Sequence, residues 1–414
     1  MGIVAPNGVG VPSFLKSIQS GTSGIRHFPE LADLNFSCQL GGKPDVSDEL
    51  SKQYFTDLEL RNFNSNGILY GVIAGMDALA SAGIEVAGKD DEPLWDLGIV
   101  FGTGTSGVEK FREAIYKLDE GKVRRLGSTT VIQTMASGIT AYLGGKIGAG
   151  NWVTTNSSAC ATGTEAVLMG YEHIANGKAE KMLCGSCSDA SPYIWGGFDA
   201  MKVTTFKNND TPQKASRPMS ASASGFVPGS GAGALVLESL ESAQKRGATI
   251  YAEVLGGCTN NGGHRSGGSM TAPNSRAVRR CIMDALDNAG ISANEIDYIN
   301  GHLTATAKDP TEIENWCEAL GRKGDEFPYI NSLKSMIGHG LAASGSMEVV
   351  ATILQLHHGF IFPNINCEDL HSEINKLIDP EKIPQTLKEL PLNTVAKASF
   401  GFGDVNACII FRKI

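Results

Sequence analysis

Two stretches of the chain repeat their hydrophobic and polar pattern almost residue for residue. Met76-Asp-Ala-Leu-Ala-Ser-Ala-Gly83-Ile84 returns as Met283-Asp-Ala-Leu-Asp-Asn-Ala-Gly290-Ile291, with seven of nine positions identical. Apolar residues three and four apart predict an amphipathic helix that stops at a Gly, the residue suited to a left-handed cap. Each copy leads into a short apolar run, residues 97–101 and 296–300, that predicts a strand. A second pair follows in the same order. Ala161-Thr-Gly163-Thr164 opens a helix reaching Gly177, and Ala343-Ser-Gly345-Ser346 opens one reaching Gly359, with a Gly-to-Gly spacing of 14 in both. Apolar strands at 233–237 and 407–411 close the two halves. Such alternation predicts α/β layers with buried sheets, built by duplication of one βα-rich half. The joint falls near residues 242–249, giving halves of 1–245 and 246–414. No linker composition separates them, so they should share one rigid core. Met1-Gly-Ile-Val reads as a first strand lacking its beginning.

At 414 residues the chain needs no staple, and no run of 18 apolar residues predicts a membrane span. The N-terminus lacks the basic segment and apolar run of a secretory signal. Nine cysteines, an odd count scattered through apolar contexts, suggest buried thiols in a reducing cytoplasm. The net charge of −9 opposes binding to a phosphate backbone, which argues against a nucleic-acid partner.

Some motifs are better explained by packing. Gly102-Thr-Gly104-Thr-Ser-Gly107 has dinucleotide-loop spacing, but Val108-Glu-Lys-Phe-Arg puts charges where the helix would begin. Cys184-Gly-Ser-Cys187 ends a strand and does not open a helix with its first thiol, as a redox pair would. His357-His358 closes a helix with no further ligand nearby.

The chemistry gathers elsewhere. Cys160, in Asn156-Ser-Ser-Ala-Cys160-Ala-Thr-Gly-Thr164, follows a strand-like run at 152–155 and opens a helix over 165–176. The helix dipole there should favour a thiolate, and small neighbours leave room for a substrate. His302, in Asn300-Gly-His302-Leu-Thr304-Ala-Thr306, and His339, in Lys334-Ser-Met-Ile-Gly-His339-Gly, both stand at predicted strand-to-helix turns. Loops at strand ends are where α/β proteins place reactive groups. With the Gly-rich Ser399-Phe-Gly-Phe402-Gly-Asp404 loop, these residues predict one site.

A Cys at a helix start, His-x-Thr-x-Thr, Lys-Ser-x-x-Gly-His and a terminal Phe-Gly-Phe-Gly loop, in that order, resemble the β-ketoacyl-acyl carrier protein synthases. Ala215-Ser-Arg217-Pro218, Gly225-Phe-Val-Pro-Gly-Ser-Gly-Ala-Gly233 and Pro363-Asn-Ile-Asn366 extend the resemblance along nearly the whole chain. It implies a thiolase-like fold, two duplicated βα halves in an αβαβα core, with the nucleophile in the first half and both histidines in the second. Cys160 would take an acyl group from an acyl carrier protein, and malonyl-carrier protein would then lose CO₂ and condense with it. His302 and His339 would stabilise the enolate, and the N–H groups of Cys160 and Phe402 would form the oxyanion hole. Lys334 would order the histidines with Glu312 as its ion partner. Thr304 and Thr306 would bind the pantetheine arm, and Thr105, near the polar Gln133 and Thr134, would stand at the interface end of the acyl tunnel. No cofactor of its own is implied, since the phosphopantetheine arrives on the partner.

Three departures from the family pattern point to a specialised aryl-polyene, polyketide or secondary-lipid pathway. Leu303 stands where Gly is usual and Ala305 where Gly or Ser is, the stretch from His302 to Asp309 and Glu312 is one residue short, and Asp404 replaces a Gly. A homodimer is expected, with a ketosynthase heterodimer as the variant. A non-catalytic chain-length partner is the rival reading, disfavoured because Cys160, His302, His339 and Lys334 are all present. A thiolase would need a second catalytic cysteine, and Cys408 lies inside an apolar strand. Docking of an acidic carrier would need local basic residues, with Lys207, Lys214, Arg265, Arg276, Arg279 and Arg280 as candidates.

Overall fold

The computed structural model describes all residues from 1 to 414. Six strands form the first sheet: β1 Gly2–Ala5, β2 Gly8–Val9, β3 Leu97–Thr103, β4 Val153–Thr154, β5 Lys181–Ser188 and β6 Gly231–Glu238. Five form the second: β7 Glu253–Asn261, β8 Tyr298–Asn300, β9 Tyr329–Asn331, β10 Thr394–Gly401 and β11 Val405–Arg412. The spatial orders are β4-β3-β5-β6-β1-β2 and β9-β8-β10-β11-β7. In each sheet the first three strands run parallel and the next two pairings are antiparallel. The two sheets therefore repeat one topology, as the duplicated sequence pattern predicts. Strand β8 begins two residues later than the apolar run suggested. Ser292 and Glu295 close a capping box there and keep residues 293–295 in a 3₁₀ turn.

Six helices position the site: α1 Asn66–Ser81, α2 Val108–Asp119, α3 Thr162–Ala175, α4 Ser275–Ala289, α5 Asp309–Leu320 and α6 Ser344–His358. The repeated helices α1 and α4 cover the outer faces of the first and second sheet. Helices α3 and α6 lie between the sheets, where thirteen of the fifteen α6 residues are buried. Their crossing explains the small residues shared by the second sequence pair. A Cβ on Gly163 would stand 2.2 Å from the Ser346 nitrogen, and one on Gly345 would stand 2.5 Å from the Thr164 nitrogen. No larger residue fits either position without moving a helix. The result is the five-layer αβαβα arrangement of the thiolase-like fold.

The packing explanation of the other motifs holds in detail. The Gly102–Gly107 loop delivers its last amide to a resident carboxylate: buried Asp189 accepts from Gly107 N–H at 2.7 Å and from Gly67 N–H at 2.5 Å. Cys184 and Cys187, three apart on β5, point to opposite faces and enter different cores.

Candidate active site

The turn after β4 carries Cys160. Ala159, at φ 47°, lies in the left-handed region, and a 3₁₀ turn over Ala159–Ala161 runs directly into α3. That bend lifts the Cys160 sulfur toward a cavity of about 620 Å³ that His302, His339, Thr304, Thr306 and Phe402 also line. The loop after β10 presses on the same turn. A Cβ on Gly401 would stand 2.9 Å from the Ser158 oxygen and 3.1 Å from the Cys160 nitrogen. Small residues there let the Phe402 and Cys160 N–H groups reach the sulfur.

Cys160, His302 and His339 each offer a donor atom, all within 4.8 Å of one another. The two imidazoles are 5.4 Å apart and nearly perpendicular, at 83°. Leu341 N–H donates to His339 Nδ1 at 3.2 Å, and Ser344 Oγ lies 2.9 Å from the same atom. A nitrogen that accepts a backbone N–H is unprotonated, so His339 carries its proton on Nε2 as a fixed donor. His302 Nδ1 is buried without a partner. A metal-ligating histidine is normally anchored through its second nitrogen, so this trio is poorly built to hold an ion. Burial holds both histidines well below the ordinary imidazole range, and the positive charge of Lys334 adds to it. His339 and Lys397 depress His302 further, and Lys397 also depresses His339. Both rings are therefore neutral near pH 7.

Two expectations need correction here. The Cys160 thiol is not thiolate-prone at rest: burial pushes it up to about 11, against the pull of Lys334 and the Phe402 and Cys160 N–H groups. Desolvation outweighs the end of the helix dipole. Nor is Glu312 the ion partner of Lys334. The Glu312 carboxylate accepts the N–H groups of His302 and Leu303, each at 2.7 Å, and so fixes the turn that carries the histidine. Lys334 instead pairs with Glu348 on α6, and both are buried.

Asp309 shapes the shortened loop, accepting N–H groups from Thr304, Ala305 and Thr306, and from Met219 across the cavity wall. It holds Ala305 at φ 61° and leaves the Thr304 and Thr306 hydroxyls 3.0 Å apart at the cavity. Leu303 turns away into the outer core of the second half. Asp404, at φ 64°, is fully buried and accepts from Asn274 N–H at 2.8 Å and His264 N–H at 3.1 Å. The residue in place of a Gly thus ties the Phe402 loop to the 262–274 segment over the cavity. Gly262 and Gly268 leave room for its carboxylate.

Thr105 is exposed and lines no part of this cavity. Gln133 is tied to Asn64 N–H and Thr129 Oγ1, and Thr134 bonds to its own helix, so neither offers polar groups to a tunnel. Reasoning from sequence missed Glu348, Lys397, Asp309 and the rim lysines Lys202 and Lys308. A lone acid in the apolar run Met347–Val350 and a lone base in Val395-Ala-Lys397-Ala were the available signals.

Residues 1–243 match the family model for the beta-ketoacyl synthase N-terminal domain, and residues 251–368 match that for the C-terminal domain. The whole chain is 33% identical to 3-oxoacyl-[acyl-carrier-protein] synthase 2 of Vibrio harveyi, spanning 97% of that protein. A beta-ketoacyl synthase from Burkholderia phymatum STM815 superposes with a TM-score of 0.89 at 28% identity, over 100% of this chain and 98% of that one. A type II PKS ketosynthase, solved with its acyl-carrier protein and bound to the hexaketide, superposes with a TM-score of 0.88 at 29% identity, over 100% and 98%.

Proposed function

The chain belongs to the β-ketoacyl synthase family, and on that premise we propose that Cys160 is the nucleophile of its decarboxylative Claisen condensation. The Cys160 sulfur attacks the thioester of an acyl-carrier protein, loses its proton, and expels the carrier's phosphopantetheine thiol. The phosphopantetheine belongs to the partner, and the enzyme needs no cofactor of its own. Malonyl-carrier protein then enters, its carboxylate leaves as CO₂, and the electron pair forms an enolate. The enolate carbon attacks the Cys160 thioester, and collapse of the adduct releases a β-ketoacyl-carrier protein and expels the Cys160 thiolate, which takes a proton from solvent to return to the thiol.

The observation that carries this reading is the His339 tautomer beside a buried Cys160 and a second neutral imidazole. Positioned N–H donors stabilise charge where it develops, which is what an enolate oxygen requires. Lys334 orients the pair through its buried ion contact with Glu348. Thr304 and Thr306 bond the arm, and the Cys160 and Phe402 N–H groups hold the thioester oxyanion. The partner is an acyl carrier protein, and the assembly is a homodimer. Thr105 lines an acyl tunnel only where a second subunit covers it, and the open edge of β4 beside exposed Trp152 and Val153 supports such an interface. The halves 1–245 and 246–414 carry nucleophile and histidines respectively. No helix is long and apolar enough to cross a membrane, and nine free cysteines favour the reducing cytoplasm. The Asp404 departure supports a specialised pathway.

Half-reactions test the roles. Cys160→Ala should abolish condensation with the fold intact. His339→Ala should slow malonyl decarboxylation ~10²–10³-fold while acyl loading of Cys160, read by intact mass, falls much less. A His339→Ala enzyme that loads poorly but decarboxylates normally would overturn this division of labour.

A further inference from the structure

Beneath the site lie three buried charges where one ion pair would suffice. Lys334 pairs with one oxygen of Glu348, and Lys397 on β10 places its Nζ 2.9 Å from the other. Both Lys397 and Glu348 have no exposed surface, and Lys334 has 1%. The second contact is an ion contact, because the hydrogen bonds of the Lys397 ammonium run to Ala398 O and, at 2.9 Å, to Ser399 Oγ. Ser399 Oγ in turn lies 2.9 Å from Thr164 Oγ1, on the helix that Cys160 opens. One carboxylate between two ammonium groups leaves a net positive charge out of water: burial lowers the Lys397 ammonium while Glu348 opposes that shift, and the Glu312 carboxyl, pushed up to about 7 by burial, answers the charge only in part. Such a charge is costly unless something nearby uses it.

We propose that Lys397 is a positioning residue for the condensation: by sharing Glu348 with Lys334, it keeps a net positive field on Cys160, His302 and His339. The groups facing Lys397 are Glu348 from α6, Lys334 from the turn at 334–337, Glu312 from α5 and Cys408 from β11. Lys334 and Glu348 also face Cys160, and Lys334 and Lys397 face both histidines. A positive cluster disfavours imidazolium and favours the thiolate and enolate that form in turn. Lys397 also anchors, through Ser399, the strand that ends in the Phe402 loop.

The inference rests on Cys160 as nucleophile, but iodoacetamide alkylation at the Cys160 peptide reads the field whether or not condensation occurs. Failure of one reading is thus distinguishable from failure of the other. In Lys397→Met the alkylation rate at pH 7, well below the Cys160 midpoint, should fall about 3-fold or more, as loss of a nearby buried charge that favours the thiolate requires. The acid limb of malonyl decarboxylation should move up, because both imidazoles become easier to protonate. Lys397→Arg, which keeps the charge, should hold both near wild type. An unmoved acid limb, whatever the alkylation rate, would make Lys397 a packing residue and overturn the proposal. Should Lys397→Met fail to fold, Glu348→Gln reads the same field with opposite sign: its acid limb should move down and its alkylation rate at pH 7 should rise, and an unmoved limb overturns the proposal equally.

Discussion

The Cys160 sulfur is caught between two opposing effects, and their balance sets when it becomes a nucleophile. Burial pushes the thiol up to about 11, while Lys334 and two backbone N–H groups pull the other way. Thiolate at pH 7 is therefore scarce, and alkylation of Cys160 in the free enzyme should keep rising well past pH 9. A plateau by pH 8 would show that the N–H groups and Lys334 outweigh desolvation. The sequence could name Cys160, His302, His339 and Lys334, because each sits in a turn motif whose residues are contiguous. It could not pair Lys334 with Glu348, fourteen residues away on another element, because Glu312, shortly after His302 in the chain, looked equally available. Only the fold shows that Glu312 is already occupied by the amides of His302 and Leu303. Burial, too, depends on what the rest of the chain lays over a residue, so the height of the thiol pKa was not legible from neighbours along the sequence.

Between elements, the glycines carry different loads. Gly163 and Gly345 let α3 and α6 cross, whereas Gly290 only ends α4 at φ 66° with nothing within 4 Å of an added Cβ. Gly290→Ala should thus cost about 1 kcal/mol, the usual penalty for a left-handed alanine. Gly163→Ala must push Ser346 and the whole of α6, and should cost about 2–3 kcal/mol in the unfolding free energy. Equal denaturation midpoints for the two variants would show that the crossing relaxes at little cost. Since α3 follows Cys160 and α6 carries Glu348, the Gly163 variant should also lose activity, whereas the Gly290 variant should not. The repeats were readable because duplication wrote the same apolar spacing twice, and turn glycines marked the helix ends. The two-residue strand β2 and the six-residue helix Leu240–Lys245, which occupies the joint, are too short to print a period on the chain.

Over the whole molecule the net charge of −9 repels an acidic carrier protein, so docking has to be local to the cavity mouth. The structure sorts the basic candidates. Arg279 is engaged by Glu318 and Arg280 by Asp284, so part of their charge is already answered within the chain. Lys207, Lys214, Arg265 and Arg276 are exposed, but none of them lines the cavity. Lys202 and Lys308 are exposed and do line it, together with Thr304, Thr306 and Cys160. A phosphopantetheine phosphate drawn to this cavity would meet their charges. Exposed charges contribute roughly 0.2–1 kcal/mol each, and salt screens them within about 10 Å at 0.1 M. Lys202→Glu with Lys308→Glu should therefore raise KM for the carrier substrate by about 3- to 10-fold with kcat nearly unchanged, since neither group reaches the reacting atoms. The wild-type KM should climb with added salt, and the double variant should lose most of that dependence. Arg280→Glu, at 77% side-chain exposure and already facing Asp284, should change KM less. If Arg280→Glu raises KM more than the double variant does, the carrier lands on α4 and not on the rim formed by Lys202 and Lys308.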